Sequence, residues 1–189
     1  MAIKLRFMFS KQQTKPTHRG VPKKPSRPLL YTAAERARRD ASVWTVVQGV
    51  LAPAQFLVFL ISLGCVARYL LSGEGLYLAT ASIVVKTVTL YAIMVTGCIW
   101  EKVVFGRYLF APAFYWEDMF SMLVLALHSA YLVALAAGWL DARPLMFLAL
   151  AAYAAYLINA VQFLLKLRAA RLDHAERGEM AMGTAGVAL

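Results

Sequence analysis

Apolar residues fill most of this chain in blocks too long to be one face of a soluble helix. From about Val43 onward, four blocks at roughly 44–71, 76–104, 117–138 and 144–167 are each long enough to cross a ~30 Å hydrocarbon layer as a helix. The breaks between them are short: Ser72-Gly73-Glu74-Gly75, then Phe105 to Trp116 with Gly106 and Pro112, then Trp139 to Arg143 ahead of Pro144. A backbone in lipid must satisfy its own hydrogen bonds, so the pattern predicts an all-α integral membrane four-helix bundle with its connections at the interfaces. Just upstream, Thr32 precedes Glu35 by three residues, the spacing of a capping box, and predicts a short amphipathic lead-in helix from Glu35 to about Ser42.

Composition agrees and narrows the choice. The 189 residues are 61% hydrophobic and 16% charged, with net charge +10, which leaves no stretch for a Rossmann, barrel or other α/β enzyme core. Both cysteines, Cys65 and Cys98, lie inside apolar blocks, so neither a disulfide framework nor a multi-sulfur zinc site is expected. Residues 1–28 combine eight basic residues with four prolines and no acid. They read as a disordered basic tail suited to anionic lipid headgroups rather than nucleic acid. The first long apolar block starts too late for a signal peptide, so the tail is expected to stay on the mature protein. Residues 29–172 form the transmembrane domain, and 173–189 read as a flexible carboxyl-terminal tail. Lys and Arg concentrate on the amino-terminal side (Arg36, Arg38, Arg39), in the second loop (Lys102, Arg107) and after the fourth block (Lys166, Arg168, Arg171), which predicts that both termini are cytoplasmic. Trp44, Trp100 and Trp116 would mark that interface and Trp139 the far one. Ala151 and Ala155 permit close helix contacts, including a homo-oligomer or contact with other enzymes.

Polar groups inside the blocks need partners, because exposure to acyl chains is costly. Gln48 and Gln55 lie one heptad apart on the first helix, Lys86 is in the second, His128 in the third, and Asn159 with Gln162 in the fourth. Interhelical hydrogen bonding, or snorkelling for Lys86, would account for them. More distinctive are Trp100-Glu101-Lys102, closing the second block, and Trp116-Glu117-Asp118, opening the third, which gather three carboxylates at one interface. Opposite ends of helix dipoles act on Glu101 and on Glu117 and Asp118, a way to separate an acid from a base. The alternative is structural: Glu117 and Asp118 complement a helix start while Glu101 pairs with Lys102 or Arg107. On the third helix Glu117, Ser121, Leu125 and His128 share a stripe, His128 about 16 Å along the axis from Glu117. A neutral imidazole there could be a core hydrogen-bonding group or an axial ligand to a tetrapyrrole metal.

The segments WTVVQGVLAPAQFLVF (Trp44–Phe59), IWEKVVFGRYLFAPAFYWEDMFSM (Ile99–Met122) and NAVQFLLKLRAAR (Asn159–Arg171) resemble the vinyl bacteriochlorophyllide hydratase (BchF) family of phototrophic bacteria, over about Leu30 to Leu172. The resemblance implies a lyase of the bacterial photosynthetic membrane that adds water across the ring A vinyl group of chlorophyllide or bacteriochlorophyllide, giving a 1-hydroxyethyl group. It implies no cofactor, the magnesium arriving with the substrate. A vinyl carbon is a weak base, so hydration calls for a desolvated acid to protonate the terminal carbon and a second group to deprotonate water. Glu101 suits the acid and Glu117 or Asp118 the base. His128 suits the magnesium ligand, Lys102 or Arg107 the substrate acid, and Gln48, Gln55 and Asn159 the groove wall. Two other classes fit the same residues: a non-catalytic pigment-binding or hand-over protein of photosynthetic assembly, supported by His128 and Tyr91, Tyr131, Tyr153 and Tyr156, and a small transporter.

Overall fold

The computed structural model describes residues 30–186, with side chains through Leu172; the basic tail lies outside the described residues. Five helices follow in order: α1 (Ala33–Ala41), α2 (Val43–Ser72), α3 (Leu76–Phe105), α4 (Tyr115–Ala137) and α5 (Ala142–Gly186). Four of them are long and apolar enough to cross a membrane, α5 doing so over Ala142–Leu172. Beyond Leu172, where the sequence suggests a tail, the backbone of α5 continues as helix to Gly186.

Local chemistry sets the boundaries. The capping box forms as expected: Thr32 N–H donates to Glu35 Oε2 at 2.7 Å while Glu35 N–H reaches Thr32 Oγ1 at 3.3 Å. Ser42 ends α1 and caps α2, its Oγ accepting from Trp44 N–H. At the end of α3 the chain must turn sharply, and Gly106 at φ +81° does so while its N–H closes onto Lys102 O at 3.0 Å.

Antiparallel α2 and α3 pack along one another, as do α4 and α5, and the two hairpins meet through fewer contacts. The residue distribution is that of a membrane bundle. Leu57, Ile61, Val85, Val88, Val133, Phe147 and Leu164 point outward, an apolar coat that water would not tolerate and acyl chains solvate. Gln55, Ser62, Lys86, Thr87 and His128 are inside, among Phe59, Val66, Ile83, Val124, Tyr131 and Met146. Because lipid removes the hydrophobic drive between helices, packing and interhelical hydrogen bonds of about 0.6–2 kcal/mol hold the bundle. Gln48 Nε2 donates to Thr96 Oγ1 (2.7 Å), Trp100 Nε1 to Thr45 Oγ1 (2.9 Å) and Asn159 Nδ2 to Ser121 Oγ (2.9 Å). The hydroxyls of Ser62 and Ser82, and of Tyr91 and Ser129, are each 2.7 Å apart.

Helix α1 docks on one end of the bundle. Arg38 Nε donates to Val104 O at 2.8 Å, and Tyr31 is buried against Phe105 and Phe114. Trp100 and Phe163 join this aromatic cluster.

Candidate functional site

The loop between α3 and α4 does what the spacing of Glu101, Glu117 and Asp118 suggests: it brings all three to one end of the bundle, each at least 93% buried (4%, 7% and 7% exposed). They are not equivalent there. Glu117 Oε2 is 2.6 Å from Lys166 Nζ on α5, an ion pair that closes α4 onto α5. Asp118 and Glu101 instead hydrogen-bond to one another through their side chains. Two carboxyl groups side by side can share a proton between them.

The backbone of the loop completes the arrangement. Phe110 adopts φ +59°, an outlier for a bulky residue. From that turn Phe110 N–H donates to Asp118 Oδ2 at 2.8 Å, and the next residue, Ala111, hydrogen-bonds Glu101 through its backbone. Asp118 therefore has a fixed donor, whereas Glu101 Oε2 is buried with no hydrogen-bond partner.

A second polar group lies deeper. His128 is fully buried; its Nδ1 is 2.8 Å from Val124 O, which can only accept. The proton is therefore on Nδ1, and Nε2, buried without a partner, presents a lone pair. Lys86 Nζ and both amide atoms of Gln55 are likewise buried and unpartnered. Lys86 does not snorkel: it is fully buried, with Nζ 3.7 Å from the Tyr156 ring centroid.

The remaining expected residues are elsewhere or otherwise engaged. Lys102 turns its Nζ to Gly106 O (2.9 Å) and not to Glu101, and Arg107 is exposed. Gln48 is committed to Thr96, and Asn159 to Ser121, whose Oγ in turn donates to Glu117 O (2.9 Å). Lys166 and the Phe110–Ala111 backbone were not among the residues expected at the site. Helical arithmetic holds a hint of the first, since Asn159 and Lys166 share one face of α5 and Ser121 and Glu117 share one face of the antiparallel α4; nothing in the sequence marks a left-handed Phe110. Among the described residues no cluster of His, Cys, Asp and Glu suits a protein-held metal. A cavity of about 260 Å³ opens along the seam between α3 and α4, lined by Tyr91, Met94, Val95, Leu125 and Ser129.

Fold and site together define a multi-pass α-helical membrane protein with a buried carboxyl pair at one end and unpartnered polar groups in its interior. The chain belongs to the 2-vinyl bacteriochlorophyllide hydratase (BCHF) family, whose sequence profile matches residues 31–169. It is 64% identical over 154 residues to the 2-vinyl bacteriochlorophyllide hydratase of Rhodobacter capsulatus, covering 82% of this chain and 90% of that one. It is 67% identical over 144 residues to the protein of the same description from Cereibacter sphaeroides, covering 76% and 89%. No solved structure matches the chain.

Proposed function

We propose that the chain hydrates the ring A vinyl group of a vinyl bacteriochlorophyllide or chlorophyllide at the Glu101–Asp118 pair. The single observation that carries the assignment is that pair: two buried carboxyls acting on one another through their side chains, one with a fixed backbone donor and the other with a free buried oxygen. Glu101 gives its proton to the terminal vinyl carbon, the π electrons form the new C–H bond, and the positive charge left on the adjacent carbon is delocalised into the macrocycle. Water adds its oxygen to that carbon and loses a proton to Asp118. The product is the 1-hydroxyethyl group, and the direct contact between the carboxyls returns the proton from Asp118 to Glu101 for the next turnover. Glu117, already neutralised by Lys166, fixes the helix end instead of acting as the base.

The macrocycle is a flat amphiphile, and the thinly joined seam between the α2–α3 and α4–α5 hairpins is where a flat ring inserts with least loss of helix contact. His128 Nε2 faces the interior with a lone pair, as an axial ligand to the substrate magnesium requires. Lys102 and Arg107, outside at the same end, suit the headgroup region of the bacterial photosynthetic membrane, with both termini on the cytoplasmic side as the Lys and Arg distribution favours. Membranes bearing the protein, incubated with a vinyl chlorophyllide, should yield a product heavier by one water. Glu101→Gln and Asp118→Asn should each slow its formation by about 10²–10⁴-fold while the pigment still binds; unchanged rates in both would move the site elsewhere.

A further inference from the structure

Hydration consumes a second substrate, water, and the bundle interior carries polar groups that the carboxyl pair does not use. Lys86 Nζ, both amide atoms of Gln55, Asn159 Oδ1 and Gln162 Oε1 are buried without a hydrogen-bond partner. Lys86 is fully buried and Gln55 only 1% exposed. Buried polar atoms in native proteins are as a rule satisfied, by the protein or by ordered water, so each of these groups calls for an occupant.

Contacts across the bundle place them in one file. Lys86 Nζ lies 3.7 Å from the centroid of the Tyr156 ring, so an ammonium carried by α3 reaches α5. Phe59 of α2 packs on Tyr156 and Ser62 hydrogen-bonds Tyr153, an antiparallel register that brings Gln55, one turn before Phe59, level with Asn159. On α5, Tyr156, Asn159 and Gln162 follow at steps of about 4.5 Å, and Lys166, about 6 Å further, holds Glu117 next to Asp118. The free Oε2 of Glu101 is the unpartnered atom at that end. A water hydrogen-bonded on two sides spans about 5–6 Å, so one or two waters cover each step.

The mixture of groups identifies the occupant. Lys86 only donates, the Asn159 and Gln162 oxygens only accept, and Gln55 does both. An anion would suit the ammonium and be repelled by the carbonyl oxygens, a cation the reverse, and a pigment carbonyl could only accept. Water donates and accepts at every step. The file follows α2 and α5, opposite the cavity that opens between α3 and α4. Water and a macrocycle entering by that cavity therefore approach the carboxyl pair from different sides.

We propose that Lys86, Gln55, Asn159 and Gln162 hold a file of ordered waters in the bundle interior, and that this file feeds the carboxyl pair the water that hydration consumes. The delivery rests on the proposed function, whereas the waters are read without turnover. Full-length protein in membranes is given a brief X-ray pulse, which splits bound water into hydroxyl radicals that oxidise the side chains beside it, and mass spectrometry locates the added oxygen. Tyr156 should be labelled although only 9% exposed, whereas Met146, fully buried in the apolar core and intrinsically more reactive, should not. In the double variant Lys86→Met with Gln55→Leu, labelling of Tyr156 should fall to the level of Met146. Each single variant should lower it, and either serves if the double variant does not accumulate. An unlabelled Tyr156 in the wild type, or equal labelling in the wild type and the variants, overturns the file. Gln162→Leu, at the step nearest the carboxyl pair, should slow hydration several-fold with the Kd for pigment unchanged; a wild-type rate overturns the delivery. If Glu101→Gln and Asp118→Asn both hydrate at the wild-type rate while Tyr156 is still labelled, the carboxyl assignment fails and the file stands.

Discussion

The Glu117–Lys166 ion pair separates two roles that proximity alone would confuse. Its N···O distance is 2.6 Å, with the Glu117 side chain 10% exposed and that of Lys166 26%. Those exposures make the two single substitutions unequal. Lys166→Met strands a carboxylate that has little access to water, and should cost about 2–3 kcal/mol, somewhat below the 3–5 kcal/mol of a fully buried pair. Glu117→Gln leaves an ammonium that can turn outward, and should cost about 1 kcal/mol. Removing both should cost little more than the smaller single change, so a double-mutant cycle should give a coupling of about 2 kcal/mol. The assay is reversible unfolding in mixed micelles, followed by tryptophan fluorescence, with hydration rates measured on the same folded samples. Because Asp118 is the proposed base, the double variant should hydrate within a few-fold of wild type. A loss of about 10² or more in the folded double variant, with Asp118→Asn active, would show that Glu117 is the base.

Three further outcomes are expected. Phe110→Gly relieves about 1–2 kcal/mol of left-handed strain and loses a Tyr115 ring contact of about 0.5–1.5 kcal/mol, so it should hold both stability and turnover near wild type. Phe110→Pro abolishes both the left-handed turn, because proline holds φ near −65°, and the N–H that Asp118 accepts, and should lose at least about 10-fold in hydration rate; a rate equal to that of Phe110→Gly would remove any role for the turn and its amide. Hydrogen bonds from the backbone and side chain of Thr32 hold the Glu35 carboxyl below the usual range. A lowered folded value means the cap's contribution is present above the unfolded carboxylate pKa and lost as pH falls through the folded one. A spin label at Ala34 should therefore mobilise only under strong acid, and at higher pH in Thr32→Ala; an unchanged midpoint in that variant would contradict the cap. Single cysteines at Glu74 and Arg107, in a chain lacking Cys65 and Cys98, should label from opposite sides of the membrane, Arg107 from the cytoplasm; labelling from one side would end the four-span topology.

What was legible in the sequence is what lipid enforces. Apolar length and glycine-rich breaks place four helical spans, all but the end of α5 within a few residues, because a backbone in hydrocarbon has almost no other solution; α5 runs on to Gly186, where no lipid constrains the sequence. The Thr32–Glu35 box is equally local and forms as read. The gathering of Glu101, Glu117 and Asp118 also followed from chain order, since a short loop between antiparallel helices joins their ends. Which carboxylate met which partner did not follow. Glu117 finds Lys166, 49 residues on, and Asp118 finds Glu101 and the Phe110 amide, outcomes fixed by helix rotation and by a strained turn with no glycine to announce it. Lys86 was open between snorkelling and burial for the same reason: an isolated lysine in an apolar block is compatible with either, and only the packing of Tyr156 over it decides.

The unpartnered polar atoms form a pattern that structural hydrogen bonding does not produce. Where polar side chains serve only to join helices, they meet, as Gln48 meets Thr96 and Tyr91 meets Ser129. Glu101 Oε2, His128 Nε2 and Lys86 Nζ do not, and each left alone in a dry interior carries a desolvation cost that selection for stability would remove. They offer chemically different functions: a carboxyl, a lone pair and an ammonium. Groups left open in this way suit an occupant from outside the chain, as the proposed hydration at Glu101 requires.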